Sequence, residues 1–157
     1  MRNRSHGRRG GRDLHGLLAD VNVQGHLPHL RHLLEALDLW TILVERNLRL
    51  VTFPDLQLPR DLDDRSLWNR CQQEGWVLFS ENRNHDGPDS LEATLADSWQ
   101  VGCLPVLTLS DKGRFEHDRA YASRVATDIA DLLFGIAQEG HYRDRARIWV
   151  PLPVSRA

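Results

Sequence analysis

Apolar residues along the chain form short unbroken runs separated by stretches where they recur every three or four positions. This is the pattern of buried strands alternating with amphipathic helices. The first run is LLADVNV, residues 17–23, between Gly16 and Gly25. It predicts a buried strand that delivers Asp20 and Asn22 to its carboxyl end. Pro28 suits a helical first turn. From there Leu30, Leu33, Leu34, Leu37 and Val44 recur at helical spacing, in a stretch long enough for two short helices broken near Asp38. Residues 48–53 predict a second strand stopped by Pro54, and residues 54–63 a loop. Asp63 or Asp64 then caps a helix through about Glu74, with Leu67, Trp68 and Cys71 on one side and Gly75 ending it. Residues 76–79 predict a third strand and residues 80–89 a long polar loop. Ser90 caps a helix carrying Leu91, Leu95 and Trp99, residues 105–109 form a fourth strand, and residues 119–137 the last helix.

Alternating strands and helices of this kind predict an α/β sandwich around a mostly parallel sheet. Sites in such folds gather at the carboxyl ends of strands. That rule selects Asp20 with Asn22, the segment 81–89, and Asp111.

The length of 157 residues fits one domain, and 41% hydrophobic with 27% charged residues excludes disorder throughout. No apolar run is long enough to span a bilayer, and the start lacks a hydrophobic leader, so neither a membrane nor a secretory destination is expected. Cys71 and Cys103 are the only cysteines, too few for a disulfide framework, and a reduced cytoplasmic protein is the expectation. The net charge of −2 conceals an uneven distribution. Arg2, Arg4, Arg8, Arg9 and Arg12 crowd the start among glycines, which marks residues 1–13 as a flexible basic arm, able to touch nucleic-acid backbone or to act only as a solubilising leader. The domain is expected over residues 14–140. The tail 141–157 carries an apolar patch at 148–152 that packs on the body or on a partner.

LLADVNVQGHL, the acidic pair Asp63–Asp64 opening a helix, and GWVLFSENRN after that helix together resemble the PIN-like domains, most closely a compact bacterial group that includes toxin-type ribonucleases. The resemblance spans roughly residues 17–136 and implies a three-layer α/β/α sandwich with a parallel sheet. It also implies a ribonuclease that uses Mg2+ or Mn2+, in some members the toxin of a toxin–antitoxin pair, with RNA as substrate, a small antitoxin as partner and a homodimer as assembly. By position, Asp20 matches the family's first-strand carboxylate, Asn22 the polar residue two further on, and Asp64 the acid at the start of the middle helix, with Asp63 as its rival in register. The third-strand acid departs from the pattern. Asn82 stands where aspartate is expected, Glu81 is one position early, and Asn84 occupies the next acidic place.

The resemblance therefore offers Asp20, Asp64 and Glu81 as metal ligands and, with Asp86, as the catalytic set. Asn22, Asn82, Arg83, Asn84 and Glu92 are candidates for substrate binding or support. Phosphodiester hydrolysis needs an activated water and neutralised charge on the scissile phosphate, and carboxylate-held divalent cations supply both. A carboxylate such as Asp20 in an otherwise apolar strand requires a partner. Glu81 reaches such a site only if the third strand has ended by Ser80, because adjacent strand residues face opposite ways. Two alternatives stand beside this reading: a catalytically weak protein that binds RNA or a protein through Asn82 and Asn84, and a non-enzymatic α/β scaffold whose acids are solvated.

Other features carry less. His26, His29 and His32 recur every three residues without a cysteine or a second cluster, so a zinc site is not expected. Cys71 and Cys103 suit packing, and no nucleophile elbow, phosphate loop or dinucleotide fingerprint occurs. Trp68, Trp76 and Trp99 belong to core elements, whereas Trp40 and Trp149 are candidates for a self-association surface.

Overall fold

The computed structural model describes residues 13–81 and 90–154. Strand β1, Gly16–Ala19, is buried along its whole length. It stops at Asp20 because the Asp20 carbonyl accepts the N–H groups of Val23 and Gln24, both at 2.9 Å, and turns the chain away. The strand is therefore shorter than its apolar pattern. Asp20 still sits at its carboxyl end, whereas Asn22 lies in the exposed turn beyond.

Two short helices follow, α1 (Leu27–Ala36) with Pro28 in its first turn and α2 (Trp40–Glu45), separated at Asp38, whose φ of 62° breaks the helical path. After β2 (Arg49–Val51), Pro54 opens a single 3-10 turn, and Asp63 caps α3 (Asp64–Glu74). Gly75, at φ 86°, closes α3 and leads into β3 (Trp76–Glu81). Ser90 caps α4 (Leu91–Ser98) through a 3.1 Å bond from the Ala93 N–H. Strand β4 (Val106–Leu109), a short α5 (Lys112–His117) and the 21-residue α6 (Arg119–Glu139) come next. The apolar patch of the tail forms a fifth strand, β5 (Arg147–Val150), and so belongs to the body.

The sheet order is β2-β1-β3-β4-β5 and every pairing is parallel. Gly16 is required where β1 meets β2: its φ is 142°, and a Cβ there would lie 1.9 Å from the Arg49 carbonyl oxygen. Each sheet face carries its own core. Leu17, Ala19, Val77, Phe79, Leu107, Leu109, Ile148 and Val150 pack against residues of α1, α2, α5 and α6. Leu18, Trp76, Leu78 and Val106 pack against α3 and α4. The result is a three-layer α/β/α sandwich. Leu67, Trp68 and Cys71 of α3 enter the second core as their spacing predicts, and burial pushes the Cys71 thiol pKa well up.

The helix placement fixes the crossovers. The chain moves one way from β1 to β2 through the α1 layer, and the other way from β2 to β3 and from β3 to β4 through the α3–α4 layer. These three connections share one hand. The step from β4 to β5 continues in the second direction but passes through α5 and α6 on the α1 face, so its hand is the opposite one, an uncommon arrangement. This leaves the α4 side of β5 thinly covered, and Trp149, which points that way, is 43% exposed. Among the described residues no helix is long and apolar enough to cross a membrane.

Candidate functional site at the carboxyl edge of the sheet

In a parallel sheet of this order the strand sequence reverses between β1 and β3, and the crevice outside their carboxyl ends is where ligands bind. Asp20 occupies that point. It is 5% exposed, and its N–H donates to the Phe79 carbonyl at 2.8 Å, which holds it beside the end of β3. Ala19 pairs in register with Phe79, so Asp20 stands next to Ser80. Ser80 pairs with Thr108, and Thr108 with Trp149. Asp20, Ser80, Thr108 and Trp149 thus form one level across β1, β3, β4 and β5, on the face that α3 and α4 cover.

This level is polar inside an apolar layer. Ser80 and Thr108 are 2% and 0% exposed, and their hydroxyls lie 3.0 Å apart. Arg147, two residues before Trp149 and so on the same face, donates to Thr108 Oγ1 at 2.8 Å and to Glu92 Oε2 at 2.7 Å. Its side chain is 13% exposed, against 61% for Glu92. Burial lowers the Arg147 pKa from its usual value, and the Glu92 carboxylate opposes that shift. The guanidinium also lies 5.3 Å from the centre of the Trp149 ring.

The acidic pair opening α3 divides its work. Asp63 is the cap: its carboxylate accepts the Ser66 N–H at 3.0 Å and the Ser66 hydroxyl at 2.8 Å, and these bonds hold its pKa below the usual carboxylate value. Asp64 reaches across to α4 and accepts the Leu91 N–H at 2.9 Å. Because α3 runs back along the sheet to the start of β3, its first turn lies at the carboxyl edge, on the same face as Ser80.

Glu81 lies elsewhere. Strand β3 continues through it, so pleating turns it away from the face of Ser80. Its carboxylate pairs with Lys112 Nζ at 2.9 Å. His26 is also on that side, 3.6 Å from Glu116 and edge-on to Phe115. Burial lowers the His26 pKa, outweighing the opposing pull of Glu116.

The structure therefore gathers Asp20 and Asp64 on one face of the carboxyl edge, places Glu81 on the other, and leaves Asn22 exposed on the adjoining turn. Glu92 is the partner of Arg147. Asn82, Arg83, Asn84 and Asp86 lie outside the described residues, as does nearly all of the basic arm. Among the described residues no group of three or more His, Cys, Asp or Glu side chains is arranged to hold a metal ion. Ser80, Thr108, Arg147 and Lys112 were not selected by the sequence reading. The available signal was the single hydroxyl interrupting each of two apolar strands, VLFS and VLTL. No protein-family model, curated protein or solved structure matches the chain.

Proposed function

We propose that the protein hydrolyses phosphodiester bonds in RNA with a divalent cation, Mg2+ or Mn2+, held at the carboxyl edge of the sheet. The observation that carries this reading is Asp20: a carboxylate buried at the end of β1, at the point where the strand order reverses. Membership of the PIN-like group, and with it a toxin role, an antitoxin partner, a homodimer and a cytoplasmic setting, is part of the same proposal and rests on the sequence resemblance.

The donor set fits such a cation. Mg2+ takes one or two protein carboxylates and leaves its remaining positions to water and substrate phosphate, and Asp20 and Asp64 are two hard oxygen donors on one face. Asp64 Oδ2 accepts the Leu91 N–H, which helps to fix the carboxylate at the start of α3. When bound, the cation would neutralise phosphate charge and acidify a coordinated water. Asp20 would fix the position of that centre from the rigid end of β1, and Asp64 would tie it to α3 and α4. Glu81 stands outside this set, engaged with Lys112.

The test is Asp20→Asn, a near-isosteric change. The expected outcome is a folded protein that binds Mn2+ at least tenfold more weakly by calorimetry and has lost metal-dependent cleavage of labelled RNA. Parental Mn2+ affinity in the variant would exclude Asp20 from the site.

A further inference from the structure

At the far end of the same level of the sheet, two groups suited to single-stranded nucleic acid stand together. Arg147 presents a planar guanidinium, the side chain best shaped for phosphate. One of its N–H groups is anchored on buried Thr108 at 2.8 Å, and its only described carboxylate partner is Glu92, an exposed residue in the first turn of α4. Trp149 follows two positions later on the same strand and face, 43% exposed, with the guanidinium 5.3 Å from its ring centre. Cation and aromatic surface side by side are what a single strand needs, one for its backbone and one for a base face.

The spacing joins this ledge to the crevice. Neighbouring strands lie about 4.8 Å apart, so Trp149 on β5 stands three strand spacings, roughly 14 Å, from Asp20 on β1. Ser80 and Thr108 fill the level between them.

We propose that Arg147 and Trp149 form a binding ledge for single-stranded RNA: a backbone phosphate displaces the Glu92 carboxylate from Arg147, and a base stacks on Trp149. Glu92 is then a stand-in anion that keeps the buried guanidinium paired until RNA arrives. This inference rests on the phosphodiesterase reading for its choice of ligand, and it adds a residue pair that binds substrate away from the cleaved bond.

The experiment uses the full chain, a fluorescein-labelled ten-nucleotide single-stranded RNA followed by anisotropy, and bis(p-nitrophenyl) phosphate as a small diester with no base to stack. Trp149→Leu and Glu92→Gln are both surface changes. Trp149→Leu is expected to weaken RNA binding at least about fivefold, the lower end of a lost base–aromatic stack, while leaving Mn2+-dependent hydrolysis of the small diester unchanged. Glu92→Gln is expected to tighten RNA binding severalfold. Arg147→Gln is expected to weaken it and to reduce the log–log salt slope by about 0.7. In the Arg147→Gln background, Glu92→Gln should then have no effect. RNA affinity unmoved by both Trp149→Leu and Glu92→Gln overturns the ledge, whether or not the small diester is hydrolysed. If Trp149→Leu instead shifts only the sedimentation of the protein, the ledge is overturned in favour of an interface between copies of the chain. Failure of the parent to hydrolyse the small diester, with RNA binding still dependent on Trp149 and Glu92, rejects the phosphodiesterase reading and keeps the ledge.

Discussion

The two sides of the sheet's carboxyl edge are built from the same strands and contrast sharply in how they handle charge. Toward α1, α5 and α6, the ionisable groups are mutually satisfied: Glu81 pairs with Lys112, and His26 lies near Glu116. Toward α3 and α4, the same level carries buried Asp20, two hydroxyls and an arginine whose carboxylate partner stands in solvent. Local neutralisation on the first side leaves nothing for a ligand to complete. On the proposed reading, the second side offers groups that a cation and a polyanion would complement. Pleating produces this difference from adjacent residues, since Phe79, Ser80 and Glu81 alternate between the two environments.

Single substitutions in β3 and β4 test that contrast. Phe79→Ala on the apolar side should cost about 3–5 kcal/mol in chemical denaturation, because the side chain is fully buried among residues of both sheet and helices. Its neighbour Ser80→Ala should cost no more than about 1 kcal/mol, one neutral hydrogen bond to Thr108. Comparable losses at both positions would mean that the polar level is a structural core like its opposite. Thr108→Val falls between them. It removes the hydroxyl that bonds Ser80 and accepts from Arg147, and leaves a mostly buried guanidinium with one anchor fewer, at about 1–3 kcal/mol. Because it loosens Arg147, it should also weaken RNA binding, whereas Phe79→Ala should leave affinity intact in whatever fraction remains folded.

Much of this architecture was legible in the sequence because it depends on local chemistry. The break at Asp38, the Ser90 cap and the Gly75 stop are each set by a few neighbouring residues and fall where the pattern places them, and the α3 cap falls on Asp63, one of the two acids the pattern allows. The paired hydroxyls, and the reach of Arg147 from β5 to α4, depend on strand order and register, which no local pattern encodes. Strand β5 reads in the sequence only as an apolar patch on a tail, because four residues, RIWV, are too short to announce a strand without the neighbour that pairs them. Helix α5 was missed for a related reason: it is six residues long, and its buried Phe115 finds its core only through α1 and α6. At the carboxyl edge, Asp20 lies at the end of β1 as its pattern predicts, but the side that Glu81 takes depends on where β3 ends, and that end lies two residues later than the pattern suggests.

Glu81→Gln sharpens the comparison further. Its partner Lys112 is 43% exposed, so loss of the pair should cost less than about 1 kcal/mol. On the proposed reading Mn2+ affinity should equal that of the parent, in contrast to Asp20→Asn. Calorimetry on the two variants side by side decides the matter: an equal loss of affinity in both would put Glu81 into the donor set and erase the distinction between the two faces.

The smallest expected effect belongs to His26, and its sign is informative. Burial holds its folded pKa below the reference 6.5, so between that folded value and 6.5 the unfolded chain binds more protons than the folded one. The stability that His26 contributes is therefore fully present above pH 6.5 and is lost as the pH falls through the folded pKa. Glu116 and Glu81 pull the other way, and Lys112 and His29 reinforce the shift. His26→Gln should flatten the acid-side decline in Tm between pH 7.5 and pH 5.5 without altering RNA binding, because the residue faces the self-neutralised side. A proton-detected titration of the imidazole supplies the direct check. A midpoint above 6.5 would show that Glu116 dominates, and would reverse the predicted pH dependence.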